Sequence, residues 1–346
     1  MKAVVFDHHG GPEVLQYTDV PKPEIKANEV LIEVRACALN HLDIWVRGGL
    51  PGITIPLPHT LGNDVAGVVS ATGELVTWVK PGEEVIVQPG VSCGHCRACL
   101  DGRDNMCPEY DIVGYRRNGG YAQFVAVPGV NIVPKPKSLA WEEAAALPLV
   151  TITAWHMLVT RAKVQPGENV LVHAAGSGVG SIGIQVAKLL GARVIATAGS
   201  TEKLARAREL GADEVVDYTR ADWPKEVKRL TNREGVDVVF EHTGAETWAG
   251  SISTLKNNGR LVTCGATSGF DARTDLRHVF YRHLTILGSF MGSKAELLEV
   301  MKFVERGQIR PVVDRALPLS AAREAHELME RRAQFGKLVL IPSGKN

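Results

Sequence analysis

The chain reads as an α/β protein in two parts, a β-rich unit joined to a doubly wound parallel sheet. Three observations carry that reading. The hydrophobic period changes near residue 150, four cysteines crowd into the span Cys93 to Cys107, and a glycine-rich turn, Ala175 to Gly180, separates a strand pattern from a helix pattern. At 346 residues the chain also exceeds what a single hydrophobic core usually serves.

From Met1 to about Pro136 the signal is short β-type runs broken by turns, as in EVLIEVRACAL, AGVVSAT, EEVIVQP and AQFVAVP. Beyond Val150, strands alternate with longer helical periods, the mark of βαβ units. The strand NVLVHAA leads through the glycine turn into the helix SIGIQVAKLLG, with Ile182, Val186, Leu189 and Leu190 on one face and Gly191 as its stop. RVIATA, EVVDY, VDVVFEHT, RLVTCGA after an Asn-Asn-Gly turn, and LTILGSF bring the strand candidates to six. AELLEVMKFVERG and AAREAHELMERRA then read as amphipathic helices. GKLVLI reads as a returning strand that completes the first unit, so the parallel sheet interrupts the other part.

Charge excludes several classes of function. Lys plus Arg number 39 against 38 Asp plus Glu, scattered rather than blocked, so no nucleic-acid or anionic-membrane surface is advertised. The apolar stretch Val170 to Leu190 carries six residues among Gly, His and Lys and reads as strand, turn and helix rather than a membrane span. MKAVVFD lacks the long apolar core of a secretion signal, which makes the cytoplasm the expected compartment.

Cys93, Cys96, Cys99 and Cys107 follow the pattern C-x2-C-x2-C-x7-C, a spacing that lets four thiolates converge on one tetrahedral zinc. Four sulfur ligands leave no open position, so such a metal is structural. The alternative is two disulfides or four free thiols. Cys37 and Cys264, alone in strand-like surroundings, read as buried small apolar residues.

The turn of Ser177, Gly178, Val179 and Gly180 lets the backbone approach a pyrophosphate at a helix N-terminus, where N–H groups and positive potential converge. About twenty residues further on, an NAD site usually places a carboxylate at the end of the second strand. Here RVIATA ends at Ala198 and runs on through Gly199-Ser200-Thr201. Ser200, Lys203 and Tyr218 are the candidates to hold a 2′-phosphate instead, so NADP(H) is expected over NAD(H). The competing reading makes Ser200 a helix cap and Lys203 a solvated charge, and Glu202 is an unhelpful neighbour for a phosphate.

With these residues in hand, nearly the whole chain resembles the medium-chain dehydrogenase/reductase superfamily, the zinc alcohol dehydrogenases and related quinone oxidoreductases. The cysteine lobe, AGSGVG, TAWHML and the terminal GKLVL carry the resemblance. It implies a GroES-like catalytic domain over 1–149 and 291–346, with the zinc lobe at about 93–107, and a Rossmann cofactor domain over 150–290. It also implies a homodimer or homotetramer. Thr153, in the hinge segment, then resembles the residue touching the nicotinamide amide, and Thr243, Gly265 and Phe290 would line the same ring.

The departures from the family bear on chemistry. Metal-dependent members take catalytic zinc ligands from a Cys, a His and a third residue; the corresponding positions here hold Asn40, Asn63 and about Leu149. Amides and a leucine cannot hold zinc as thiolate and imidazole do. The expectation is therefore one structural zinc per chain and no standard catalytic one. Hydride would pass between a nicotinamide and a carbonyl, quinone or enone, with Asn40 as the first candidate donor and Asp43 and Asp64 beside it. Two alternatives stand: a zinc alcohol dehydrogenase using His41, His59, Asp43 and Asp64 as replacement ligands, and an NADP(H)-binding protein without catalysis. Trp45, Trp155 and Leu50 are further candidates to shape the substrate pocket.

Overall fold

The structure, a computed structural model, describes residues 1–342. Two compact units emerge, one of Met1–Leu149, Ser293–Glu305 and the chain from Pro311, the other of Val150–Gly292 with Arg306–Arg310. The detour of 306–310 has a local cause. The Gln185 side chain donates to the Arg310 carbonyl at 2.9 Å and accepts from its N–H at 2.8 Å.

In the first unit, strand Glu29–Ala38 is the hub of a seven-stranded sheet. Asp64–Thr72 and Phe124–Pro128 pair with it antiparallel, and so does the C-terminal strand Lys337–Ile341. Its alternation buries Val30, Ile32 and Val34 against Val65, Val125 and Leu340 in one core. Register is what matters for function. Ala38 pairs with Asp64 and with Val339, and the Leu39 N–H donates to the Leu338 carbonyl at 2.9 Å. Residues 40, 64 and 337, distant in sequence, are thereby brought to one corner.

The second unit is a six-stranded parallel sheet of β1 (Asn169–Val172), β2 (Arg193–Ala198), β3 (Glu214–Asp217), β4 (Val236–Glu241), β5 (Leu255–Thr263) and β6 (Thr285–Gly288). Its order is β3-β2-β1-β4-β5-β6, the doubly wound arrangement in which order reverses beside β1. Helix α1 (Gly178–Leu189) follows β1 and α2 (Thr201–Glu209) follows β2.

One local expectation is corrected and two elements are added. The Asn-Asn-Gly segment is not a turn before β5 but lies inside it, where Asn258 takes φ 60° and pairing with β4 shifts register. The segment holding Thr153 is a helix, Pro148–Trp155. The strand Val313–Pro318, parallel to Lys337–Ile341, went unread because its exposed, charged pattern VDRALP imitates a loop. Of the two lone cysteines, Cys37 is buried as expected, whereas Cys264 is half-buried. Burial pushes the Cys264 thiol up to about 12 and Cys37 well above the usual thiol range, so neither is a ready nucleophile. Among the described residues no helix is long and apolar enough to cross a membrane.

Candidate functional site

All four lobe cysteines are free thiols, which removes the disulfide alternative, and their sulfurs lie within 4.8 Å of one another. Sγ of Cys99 is 4.0 Å from that of Cys93 and 3.5 Å from that of Cys96. A tetrahedral zinc with sulfur at 2.3 Å needs edges of about 3.8 Å, so the donor set fits. Main-chain N–H groups of His95 and Cys96 hold the Cys93 thiol down to about 6, favouring the thiolate. Elemental analysis is expected to give one zinc per chain, with four thiols becoming titratable on chelation. Zinc-free protein with four reactive thiols would contradict the site, and two zincs per chain would revive a catalytic one.

The second cluster forms where the register brings the strand ends together. Asn40 lies two residues beyond the hub strand and caps helix His41–Gly48, Asp64 opens its strand, and Lys337 opens the C-terminal strand. The Lys337 ammonium donates to Asn40 Oδ1 at 2.5 Å and to Asp64 Oδ2 at 2.9 Å. Asn40 Nδ2 donates to the same Asp64 oxygen at 2.9 Å, and Asp64 Oδ1 accepts the Leu149 N–H at 2.8 Å. An ammonium only donates, so Lys337 dictates which way the Asn40 amide points. Lys337 is 4 % exposed and Asn40 7 %, and both aspartates are fully buried. A buried charge pair closed by hydrogen bonds on each member is the arrangement that makes such burial tolerable.

This geometry revises the expected roles. Asn40 is not a free donor but is clamped, with one amide hydrogen left over. Asp43 feels the charge of the ammonium but spends its lone pairs on main-chain donors. Its Oδ2 accepts the Asn40 N–H at 2.7 Å and its Oδ1 the Gly62 N–H at 2.9 Å. Burial pushes the Asp43 carboxyl up to about 7 despite those two bonds.

The residues do not fit a catalytic zinc. Asn63 turns its Nδ2 to the Val113 carbonyl at 2.7 Å and leaves Oδ1 buried without a partner among the described residues. Leu149 contributes only a main-chain N–H, and a lysine ammonium stands against Asn40 and Asp64, where it would repel a dication. The replacement set does not assemble either. His59 Nε2 faces the Gly114 carbonyl at 3.3 Å, and among the described residues three or more ligand-type side chains converge only at the cysteine lobe.

In the second unit the turn is built as its composition suggested. The Ser177 hydroxyl caps α1 by accepting the Gly180 N–H at 2.8 Å. A Cβ on Gly180 would meet the Ala174 carbonyl oxygen at 2.3 Å, and one on Gly183 would meet the Phe240 ring at 3.0 Å. Gly178 and Val179 are the first residues of α1, so their N–H groups stand at its open end. Near the end of β2 the structure takes the plainer option for Ser200, whose hydroxyl caps α2 by accepting the Lys203 N–H at 3.3 Å. Tyr218 does come close, since a Cβ on Gly199 would lie 3.0 Å from its hydroxyl. Sequence reading passed over Asp217, which pairs in register with Ala198, although its Oδ1 is already taken by the Thr219 N–H and hydroxyl.

Thr243 and Gly265 each lie two residues beyond the carboxyl ends of β4 and β5, the edge at which doubly wound sheets bind ligands. Thr243 and Thr153 are buried, and Phe290 is 55 % exposed. The loop carrying Thr243 is held by a buried carboxylate that sequence reading also missed. Glu241 accepts the N–H groups of Thr243 and Gly244 at 2.7 and 3.1 Å and the Ser251 hydroxyl at 2.7 Å. Trp155 is buried in packing, while Trp45 is partly exposed beside the His41 ring.

Comparison with known proteins agrees with both units. Residues 26–137 match the family described as alcohol dehydrogenase GroES-like domain, and residues 178–306 the zinc-binding dehydrogenase family. A crystal structure of an NAD-dependent alcohol dehydrogenase superposes with TM-score 0.96 at 54 % identity, covering 99 % of this chain and 100 % of that one. Crotonyl-CoA reductase of Streptomyces collinus is 33 % identical over 93 % of this chain and 80 % of its own length. Quinone oxidoreductase of Rattus norvegicus is 30 % identical over 99 % and 98 %. The chain therefore belongs to the medium-chain dehydrogenase/reductase superfamily, as an NAD(P)-dependent oxidoreductase of the alcohol dehydrogenase and quinone reductase type.

Proposed function

We propose that this oxidoreductase transfers hydride between NADP(H) and a carbonyl, quinone or conjugated enone, with Asn40 and Lys337 polarising the substrate oxygen in place of a Lewis acid. The observation that carries the reading is the buried Lys337–Asn40–Asp64 cluster, whose Asn40 stands where the resemblance places a metal ligand. The reduced nicotinamide supplies the hydride. The chain's own part is electrostatic. Asn40 keeps one amide hydrogen and Lys337 one N–H beyond the bonds described, and both are fixed before substrate arrives, so no reorganisation opposes the reaction. Asp64 tempers the cationic charge and Asp43 pins the Asn40 main chain. The relatives named for crotonyl-CoA and quinone reduction support a conjugated acceptor, and the 54 % identical neighbour named as an alcohol dehydrogenase supports a carbonyl one.

NADP(H) is the preferred cofactor in this reading, on the strength of Tyr218 beside Gly199 and of Ala198 at the strand end. The cap engages the Ser200 hydroxyl with the Lys203 main-chain N–H, which leaves the Ser200 side chain a smaller share in phosphate binding than sequence alone suggested. The test is a screen following NADPH and NADH absorbance with quinones, enones and aldehydes, alongside dissociation constants for both cofactors. Asn40→Ala is expected to lower turnover by roughly 10²- to 10³-fold with the identified substrate. Full turnover in that variant would remove Asn40 from the chemistry, and chelator-sensitive turnover would transfer it to a metal.

A further inference from the structure

A buried string of side chains leaves the Asp43 side of the cluster, and the reading above makes no use of it. Tyr121, His326 and Arg47 are all buried and come from distant parts of the chain. Arg47 Nη1 donates to His326 Nδ1 at 2.8 Å, and His326 Nε2 lies 3.2 Å from the Tyr121 hydroxyl. The same hydroxyl faces the Asp43 carboxyl, and burial and then the charge of that carboxyl push the phenol up. At the outer end Arg47 pairs with the half-exposed Glu330 and donates Nε–H to the Gly10 carbonyl at 3.1 Å.

Donor arithmetic gives the string a direction. A guanidinium can only donate, so His326 Nδ1 must accept, and a neutral ring then carries its proton on Nε2. That proton goes to the Tyr121 oxygen, which leaves the hydroxyl's own proton for Asp43. Asp43 accepts the N–H groups of Gly62 and Asn40, and the Tyr121 O–H is turned toward it. Burial, and then the charge of Arg47, hold His326 down to about 3, consistent with a neutral ring. The groups facing His326 are Arg47 and Tyr121, with Glu330 behind the arginine; those facing Asp43 are Tyr121, Cys37, Asp64 and Lys337.

We propose that Arg47, His326 and Tyr121 form a one-way string of donors, with His326 as the neutral Nε2–H tautomer, that positions the Asp43 carboxylate and through it the Asn40 main chain. The proposal rests on Asn40 being a donor to substrate. Asn40 is then set from two sides, its side chain by Lys337 and Asp64 and its backbone by Asp43. These three are positioning residues, and none touches a reacting atom.

Two kinds of measurement test the string. In 15N-histidine spectra, with His326 assigned by its loss in His326→Gln, the ring is expected as the neutral Nε2–H form from about pH 8 to about pH 5. An Nδ1–H tautomer, or a ring charging near 6.5, overturns the direction assigned here, whether or not a substrate is known. In kinetics, Tyr121→Phe keeps the ring packed on Gly62 but removes the last donor. It is expected to lower kcat roughly 10- to 100-fold with the NADPH KM unchanged. His326→Leu should do the same, and His326→Gln, which can accept from Arg47 and donate to Tyr121, should recover most of the loss. Wild-type kcat in folded Tyr121→Phe overturns the positioning role. A wild-type enzyme inert toward every acceptor would instead count against the proposed reaction, leaving the tautomer to decide the string.

Discussion

Lys337→Met is expected to damage both stability and turnover, and by different routes. Removing one member of a buried ion pair leaves Asp64 charged, fully buried and short of its strongest partner, a loss of about 3–5 kcal/mol in systems of this kind. The same change removes one of the two donors proposed to polarise the substrate oxygen, while the bond from Asn40 Nδ2 to Asp64 still holds the amide the same way round. Turnover should fall by roughly 10²- to 10³-fold, the usual result of losing one preorganised donor. The two routes separate in a second variant. Lys337→Met with Asp64→Asn removes the orphan charge, so urea unfolding should recover most of the lost stability while kcat stays low. Recovery of kcat together with stability would make the cluster a fold staple and nothing more.

The contrast between what the sequence displayed and what it concealed follows from the range of each interaction. The cysteine lobe was legible because its four ligands lie within fifteen residues, so local spacing alone limits the geometry. The turn at Ser177 to Gly180 was legible for the same reason, and so were the central strands β1, β2 and β4 of the parallel sheet, whose apolar runs are buried. Lys337 was concealed. It precedes the apolar run LVLI and so resembles a solvated residue at a strand end, and only the pairing of Val339 with Ala38 reveals that it is buried beside Asn40. His326 and Arg47 were hidden likewise, 279 positions apart, the first on a helix that reads as an ordinary amphipathic surface and the second on helix His41–Gly48 within a stretch that reads as β. Glu241 and Asp217 sit at strand ends where a carboxylate has many uses, and no pattern in the chain distinguishes them. Ser200 shows the reverse case, in which the local rule for helix caps outweighed an inference drawn from ligand chemistry.

Gly180→Ala is expected to abolish useful cofactor affinity while leaving the zinc lobe untouched. The added carbon would stand 2.3 Å from the Ala174 carbonyl oxygen and 2.9 Å from the Ser177 hydroxyl oxygen. Neither neighbour can yield cheaply. The carbonyl belongs to main chain already at positive φ, 46° at Ala174, and accepts the Ser177 N–H at 2.9 Å; the hydroxyl is the cap of α1. Relief therefore requires the turn to open and the helix end to shift, and the N–H groups that would face a pyrophosphate move with it. Overpacking of this kind costs about 1–3 kcal/mol in stability. NADPH affinity should fall by at least roughly 10²-fold, equivalent to about 2.7 kcal/mol, because the ligand site is the part that deforms. Gly48→Ala serves as the control, since nothing lies within 4 Å of a Cβ there. Titration calorimetry with NADPH measures the affinity, and elemental analysis of the same samples should still find one zinc per chain. A Gly180→Ala protein that binds NADPH as tightly as the parent would remove the pyrophosphate from this turn, and the cofactor assignment of the second unit with it.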